Sequence, residues 1–186
     1  MEILIFAILC VFMLPLGWAV VTYNALVRLR NQTRESWSGI DTELKRRYDL
    51  IPNLVASVRG YVTHERETLE AVALARARAV ASTGSPESQA RDENVLVGQL
   101  RRLQAVAESY PTLKASENFL TLQQELTNTE DRIQAARRFY NANVRDLNTR
   151  IQQFPSNLVA GAFGFQRSEF FEIEQAIERQ APVVRL

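Results

Sequence analysis

Few residues in this chain have the type and spacing for chemistry, and each can be followed to what its pattern allows. His64 is the one histidine and Cys10 the one cysteine. His64-Glu65 has no second histidine at helical spacing, so the pattern by which a helix grips zinc is missing. Glu125, Glu130 and Asp131 are a conceivable carboxylate site on a helical bundle, but the Glu-x-x-His pairing of di-iron bundles is absent. A solvated helix face accounts for them more simply. No G-x-S-x-G elbow exposes a serine, one histidine cannot be assigned to any serine as a base, and no Gly-x-x-x-x-Gly-Lys loop cradles phosphate. The expectation is a protein with no catalytic residues, no metal and no cofactor.

Charge adds a second exclusion. The chain carries 22 Lys+Arg against 21 Asp+Glu over 186 residues. The basic pairs Arg46-Arg47, Arg76/Arg78, Arg101-Arg102 and Arg137-Arg138 are scattered and offset by acids, which describes a mixed-charge surface and argues against a nucleic-acid partner. With one cysteine no internal disulfide can form.

The polar residue that stands out is Arg47, because of the element that carries it. From Trp37 to His64, apolar residues recur at Trp37, Ile40, Leu44, Tyr48, Ile51, Leu54 or Val55, Val58, and Tyr61 or Val62. Alternating steps of three and four keep one stripe on one face of a helix. Arg47 falls on that seam. It either pairs with an acid, Glu125, Glu130 or Asp131 on a later helix, and fixes helix register, or it carries its guanidinium to the edge on its apolar stem. Pro52 is the second irregularity. In a helix interior it removes a backbone donor and costs about 3 kcal/mol. If Asp49 caps a restarted helix, Pro52 lies in a first turn where the missing N–H matters little. A kink or re-capped joint is therefore expected at Asp49–Pro52.

Elements on either side position this helix. Ile3 to Val21 is uncharged and apolar, close to the roughly 20 residues that a helix needs to cross the hydrocarbon core. Trp18 and Tyr23 suit the interface. The Met-Glu start and the lack of a small-x-small site argue against a cleaved signal peptide. Arg28, Arg30 and Arg34 follow the run, while Glu2 and the terminal amine precede it. The positive-inside rule then puts the short amino end outside and the rest in the cytoplasm, on a cell or inner membrane. No strong breaker separates Tyr23 from Trp37, so the span is expected to continue into the Trp37 helix.

Downstream, an alanine-rich seam of Leu69, Val72, Ala75 and Ala79 extends the first helix to Ser82-Thr83-Gly84. Ser85-Pro86-Glu87 has the form of a new helix start, with a serine cap and proline in the first turn. Leu96, Leu100, Leu103, Ala107 and Tyr110 form the second seam, closed by Pro111. Ser116 opens a third helix bearing Leu122, Leu126, Thr129, Ile133, Ala136, Tyr140, Val144, Leu147 and Ile151, which ends before Pro155. The tail from Phe154 to Phe165 is apolar and aperiodic, and Phe170 and Phe171 follow. So much aromatic surface needs cover from protein or lipid. Phe154, Phe163, Phe165, Phe170 and Phe171 are thus expected to contact a neighbouring subunit or the membrane. Glu172 to Arg179 is expected to form a short helix.

The fold class is all-α: a transmembrane helix over 3–22 that continues into an antiparallel bundle of three long helices over 23–172, then a C-terminal tail over 173–186. Several blocks resemble the LemA family. They are Tyr23-Asn24-x-Leu26-Val27-x-Leu29-Arg30-Asn31, Trp37-Ser38-x-Ile40-Asp41, and above all Leu44-Lys45-Arg46-Arg47-Tyr48-Asp49-Leu50-Ile51-Pro52-Asn53-Leu54-Val55. Gly60-Tyr61, His64-Glu65, Ser116-Glu117-Asn118-Phe119, Leu122-Gln123-x-Glu125-Leu126, Arg137-x-Phe139-Tyr140-Asn141, Phe154-Pro155-Ser156-Asn157, Phe163-Gly164-Phe165 and Phe171-Glu172 continue the likeness. Ser36, Thr42 and Glu43 depart from it towards more polar residues. The resemblance implies a bacterial membrane-anchored helical bundle and supplies no catalytic residues. The expected function is a non-enzymatic scaffold that contacts the lipid bilayer, forms homo-oligomers, and organises or shapes the membrane. The alternative is a tethered adaptor for an unidentified protein partner, with Phe163-Gly164-Phe165 as its docking surface.

Overall fold

The computed structural model describes residues 1–62 and 65–173, with the backbone alone at 3–12. The secondary structure among them is helical throughout: α1 (Glu2–Arg59), α2 (Arg66–Ala81), α3 (Pro86–Glu108), the single turn α4 (Pro111–Lys114), α5 (Glu117–Gln152) and α6 (Ser156–Ala162). His64 and the short helix expected over Glu172 to Arg179 lie wholly or mostly outside the described residues.

Two expectations about the first helix change. It was to reach Ser82, but it ends at Arg59 and α2 begins afresh at Arg66. Gly60 weakens the helix there, and the amides of Tyr61 and Val62 both fold back to the Val58 carbonyl. The break lets α2 turn its own seam, Leu69, Val72, Ala75 and Ala79, onto a shared core. The expected first helix is therefore two helices, α1 and α2. The re-capped start at Asp49–Pro52 does not form either. α1 runs unbroken through both residues, which are exposed, so Asp49 caps nothing.

Among the described residues no helix is long and apolar enough to cross a membrane. The span expected over 3–22 falls on the first part of α1, and half of it lies at positions 3–12, whose side chains are outside the described set.

The chain divides into two compact units, with α1 and α5 each contributing to both. One unit comprises Ile40–Arg137 and the segment from Phe170 onward. Its core draws Ile51, Leu54, Val55 and Val58 from α1, the α2 seam, Leu96, Leu100, Leu103 and Ala107 from α3, Leu113 from α4, and Phe119 from α5. Each fully buried Leu or Ile contributes about 2 kcal/mol. Exposed helical pairs such as Lys45–Asp41, Arg66–Glu70 and Arg91–Glu87 contribute about 0.3–0.5 kcal/mol. The seams, not the surface charges, hold this unit together. Ser85 caps α3 as expected: its side chain accepts the Ser88 amide, and Pro86 takes the first turn. Arg78 and the Ser82 hydroxyl both reach Asp92, at 2.6 and 2.7 Å, and tie α2 to α3.

The other unit comprises Met1–Gly39 and Arg138–Glu169. Leu26 from α1, Leu147 from α5, and Val159 and Ala160 from α6 form its core, flanked by Ala19, Leu29, Ile151 and Phe165. Trp37 meets Tyr140 edge-on at 5.3 Å. The Tyr140 hydroxyl donates to the Glu169 carbonyl at 2.9 Å, and burial pushes its pKa up to about 12. Asn148 clamps Ser168 twice, donating to its carbonyl at 2.8 Å and accepting its amide at 2.9 Å. These polar contacts hold the chain that follows α6, a stretch with no periodicity of its own, against α5.

Candidate functional site: a buried ion-pair cluster and an exposed apolar face

The Arg47 side chain is fully buried, so it does not run to the edge of the bundle. Its Nη1 donates to Glu130 Oε1 at 2.7 Å, and its Nη2 donates to Glu93 Oε2. The Tyr48 hydroxyl donates to the other Glu93 oxygen. One guanidinium on α1 thus engages a carboxylate on α3 and another on α5. Glu130 is one of the three partners expected from the seam, while Glu125 and Asp131 do not pair with Arg47. Glu93 was missed. It stands one step of three before Leu96 and so continues the α3 seam upstream, with Ala90 buried one step further. Extending that seam would have found it.

Burial is the largest influence on Arg47, Tyr48 and Glu93. It pushes the Glu93 carboxyl above the ordinary carboxylate range, against the pull of Arg47 and Tyr48. It pushes Arg47 down, but the Glu130 and Glu93 charges outweigh it and the guanidinium stays protonated. Burial, with the Glu93 charge, raises the Tyr48 phenol well above its usual value and keeps it a donor. Arg47 Nε has no hydrogen-bond partner among the described residues. Both Glu93 oxygens are occupied, one by Arg47 and one by Tyr48. What this arrangement can do is fix how three helices align, because sliding any one of them strands a buried charge.

The neighbouring proline joins the same design. Pro52 has no N–H, so the Tyr48 carbonyl loses its partner four residues on. Arg76 Nε, from α2, donates to that carbonyl at 2.6 Å. This contact explains why α1 tolerates Pro52 without restarting. Arg76→Gln is expected to cost about 1–2 kcal/mol in chemical denaturation. The loss should shrink in a Pro52→Ala background, where the helix supplies its own donor. Equal losses in both backgrounds would disprove the handover.

The aromatic residues separate. Phe171 is completely buried in its unit, beside Ile173. Arg137 pins the Ile173 carbonyl at 2.8 Å and Asn94 the Glu172 carbonyl at 3.3 Å. Phe171 is therefore core, and the subunit or lipid contact expected of it is corrected. Phe170 and Phe165 are half-buried. Phe154 and Phe163 are 75% and 62% exposed, and Leu158 of α6, which sequence reasoning passed over, is 62% exposed. The Tyr23 ring lies 4.8 Å from Phe163 and 5.7 Å from Phe165, and the Arg30 guanidinium sits 5.2 Å from the Phe165 ring centre. In the same unit α1 exposes Met13, Leu14, Leu16, Val20 and Val21, with Trp18 part-covered.

Helices joined by a buried charge cluster define an all-α bundle protein. The LemA family profile matches residues 36–186, and the chain belongs to the LemA family. It is 29% identical over 176 aligned residues to Protein LemA of Metamycoplasma hominis, covering 90% of this chain and 78% of that one. It is 27% identical over 182 residues to Magnetosome protein MamQ 2 and to Magnetosome protein MamQ 1 of Paramagnetospirillum magneticum, covering 84% of this chain and 67% of each relative.

Proposed function

We propose that this chain is a non-enzymatic scaffold, tethered to a membrane by the first part of α1, that self-associates there and organises or shapes the bilayer. The observation that carries the reading is the exposed apolar series Met13, Leu14, Leu16, Val20 and Val21 on α1. It continues the uncharged run from Ile3, and no Asp or Glu occurs between Ile3 and Arg34. A patch of this kind on a water-soluble surface is unfavourable, and lipid is the solvent that suits it. Arg28, Arg30 and Arg34 favour a cytoplasmic location for the remainder. Membership of the LemA family, and relatives named as magnetosome proteins, support membrane association. Self-association draws support from apolar side chains left outside both cores, Leu74 on α2 and Leu120 and Phe139 on α5. Full-length protein in detergent is expected to scatter light as a multimer that persists on dilution. A monomer at every concentration would overturn the scaffold reading.

One observation favours the second reading, an adaptor that recruits another protein. A groove of about 210 Å³ opens between α1, α3 and α5, lined by Leu54, Leu100, Leu103, Phe119 and Leu126 among others.

A further inference from the structure

We infer that α6 and its flanks form a second membrane contact, separate from the span: Phe154, Leu158 and Phe163 seat in the boundary between headgroups and acyl chains, beside the point where α1 leaves the bilayer. The inference rests on the tether reading above and adds a lipid-binding surface more than a hundred residues downstream of it.

The argument starts from packing. α6 buries Val159 and Ala160 against Leu26 and Leu147, with Ala19 and Leu29 of α1 alongside. At about 1.5 Å per residue, Ala19 to Leu29 covers roughly 15 Å of α1, from the last residues of the apolar run onward. A bilayer's interfacial layer is roughly 5–8 Å thick on each side, so part of α6 lies at that depth when the run spans the hydrocarbon. Tyr23, the first residue after the expected span, makes the connection physical, since its ring touches both Phe163 and Phe165. Tyrosine and tryptophan favour this depth, and Trp18 lies a little more than one turn before Tyr23.

Composition fits the same place. Residues 154–165 carry no charge. While α6 turns its small buried face inward, Phe154, Leu158 and Phe163 stay mostly exposed. Arg30 lies over Phe165 and keeps a cation at the watery edge of the aromatic group. Together the three side chains expose on the order of 400 Å². That is well short of the roughly 800 Å² per partner of a stable protein interface. It is adequate for a shallow interfacial anchor, which needs only an apolar face buried about 5–10 Å deep. Continuity with the exposed α1 series selects lipid over a second copy.

The test uses full-length protein carrying Cys10→Ser and one added cysteine, Leu158→Cys, Val20→Cys or Glu35→Cys, each labelled with an environment-sensitive fluorophore. All three positions are exposed, so the core packing is untouched. The proteins are reconstituted into phosphatidylcholine–phosphatidylglycerol vesicles with and without doxyl-labelled lipid. The label at position 158 is expected to shift to the blue and lose emission to doxyl lipid as the label at position 20 does, while the label at position 35 does neither. Quenching at position 20 without quenching at position 158 overturns this inference and leaves the tether standing. No quenching at position 20 overturns both. A blue shift at position 158 without doxyl quenching also overturns it, in favour of protein cover by a second copy.

Discussion

Glu93→Ala is expected to lose about 3–5 kcal/mol of stability, because it leaves the buried Arg47 guanidinium with Glu130 alone. Chemical denaturation followed by helix circular dichroism measures this directly. Removing the whole cluster should behave very differently. Arg47→Met combined with Glu93→Leu and Glu130→Gln is expected to recover most of the loss, since burying two or three charges opposes much of what their attraction contributes. That contrast is the signature of a register device as opposed to a stability device. A charge swap adds the geometric test: Arg47→Glu and Glu130→Arg should each destabilise alone and partly rescue each other. A Glu93→Ala protein within about 0.5 kcal/mol of the native chain, as surface substitutions usually are, would show that the cluster holds nothing.

Phe171→Ala is expected to cost about 3–5 kcal/mol, the range for deleting a fully enclosed aromatic ring. Phe154→Ala, at a ring that is 75% exposed, should stay within about 0.5 kcal/mol in detergent. The pair tests the sorting of the tail aromatics, which composition alone treats as one patch. Asn94 and Arg137 hold the two carbonyls that follow Phe171, those of Glu172 and Ile173, and so fix the segment that carries its ring. If Phe154→Ala cost as much as Phe171→Ala, the two would share a structural role and Phe154 would not be free to meet lipid.

Much of this architecture was legible in the residues. Leu96, Leu100, Leu103 and Ala107 are buried as their spacing required, as are Thr129, Ile133, Tyr140, Val144 and Leu147 on α5. Ser85 and Pro86 mark the start of α3. The end of α1 was not legible, because Val58, Val62, Leu69 and Val72 keep a nearly unbroken apolar rhythm across Gly60, and a rhythm on one face does not reveal a change of direction. α6 was hidden for the opposite reason. Its seven residues make fewer than two full turns, too few for a period to show. Of the charge cluster, Arg47 announced itself by standing on a seam, and Glu130 followed from the facing helix. Glu93 stayed out of view because the α3 stripe was begun at its first leucine. Arg76 could not be anticipated, since its partner is a main-chain carbonyl and no side-chain pattern records that.

The handover between Tyr48 and Arg76 has a consequence for how the chain assembles. At most positions a helix closes its own ladder, and local structure comes before long-range contact. At Pro52 the ladder is completed from another helix. An α1 segment on its own must leave the Tyr48 carbonyl to water and spend about 3 kcal/mol to stay helical through the proline. An arginine on a separate helix, 28 residues after Tyr48, supplies the missing donor and offsets part of that deficit. The continuity of α1 is therefore conditional. The α1 turns around Pro52 and the docking of α2 stabilise each other.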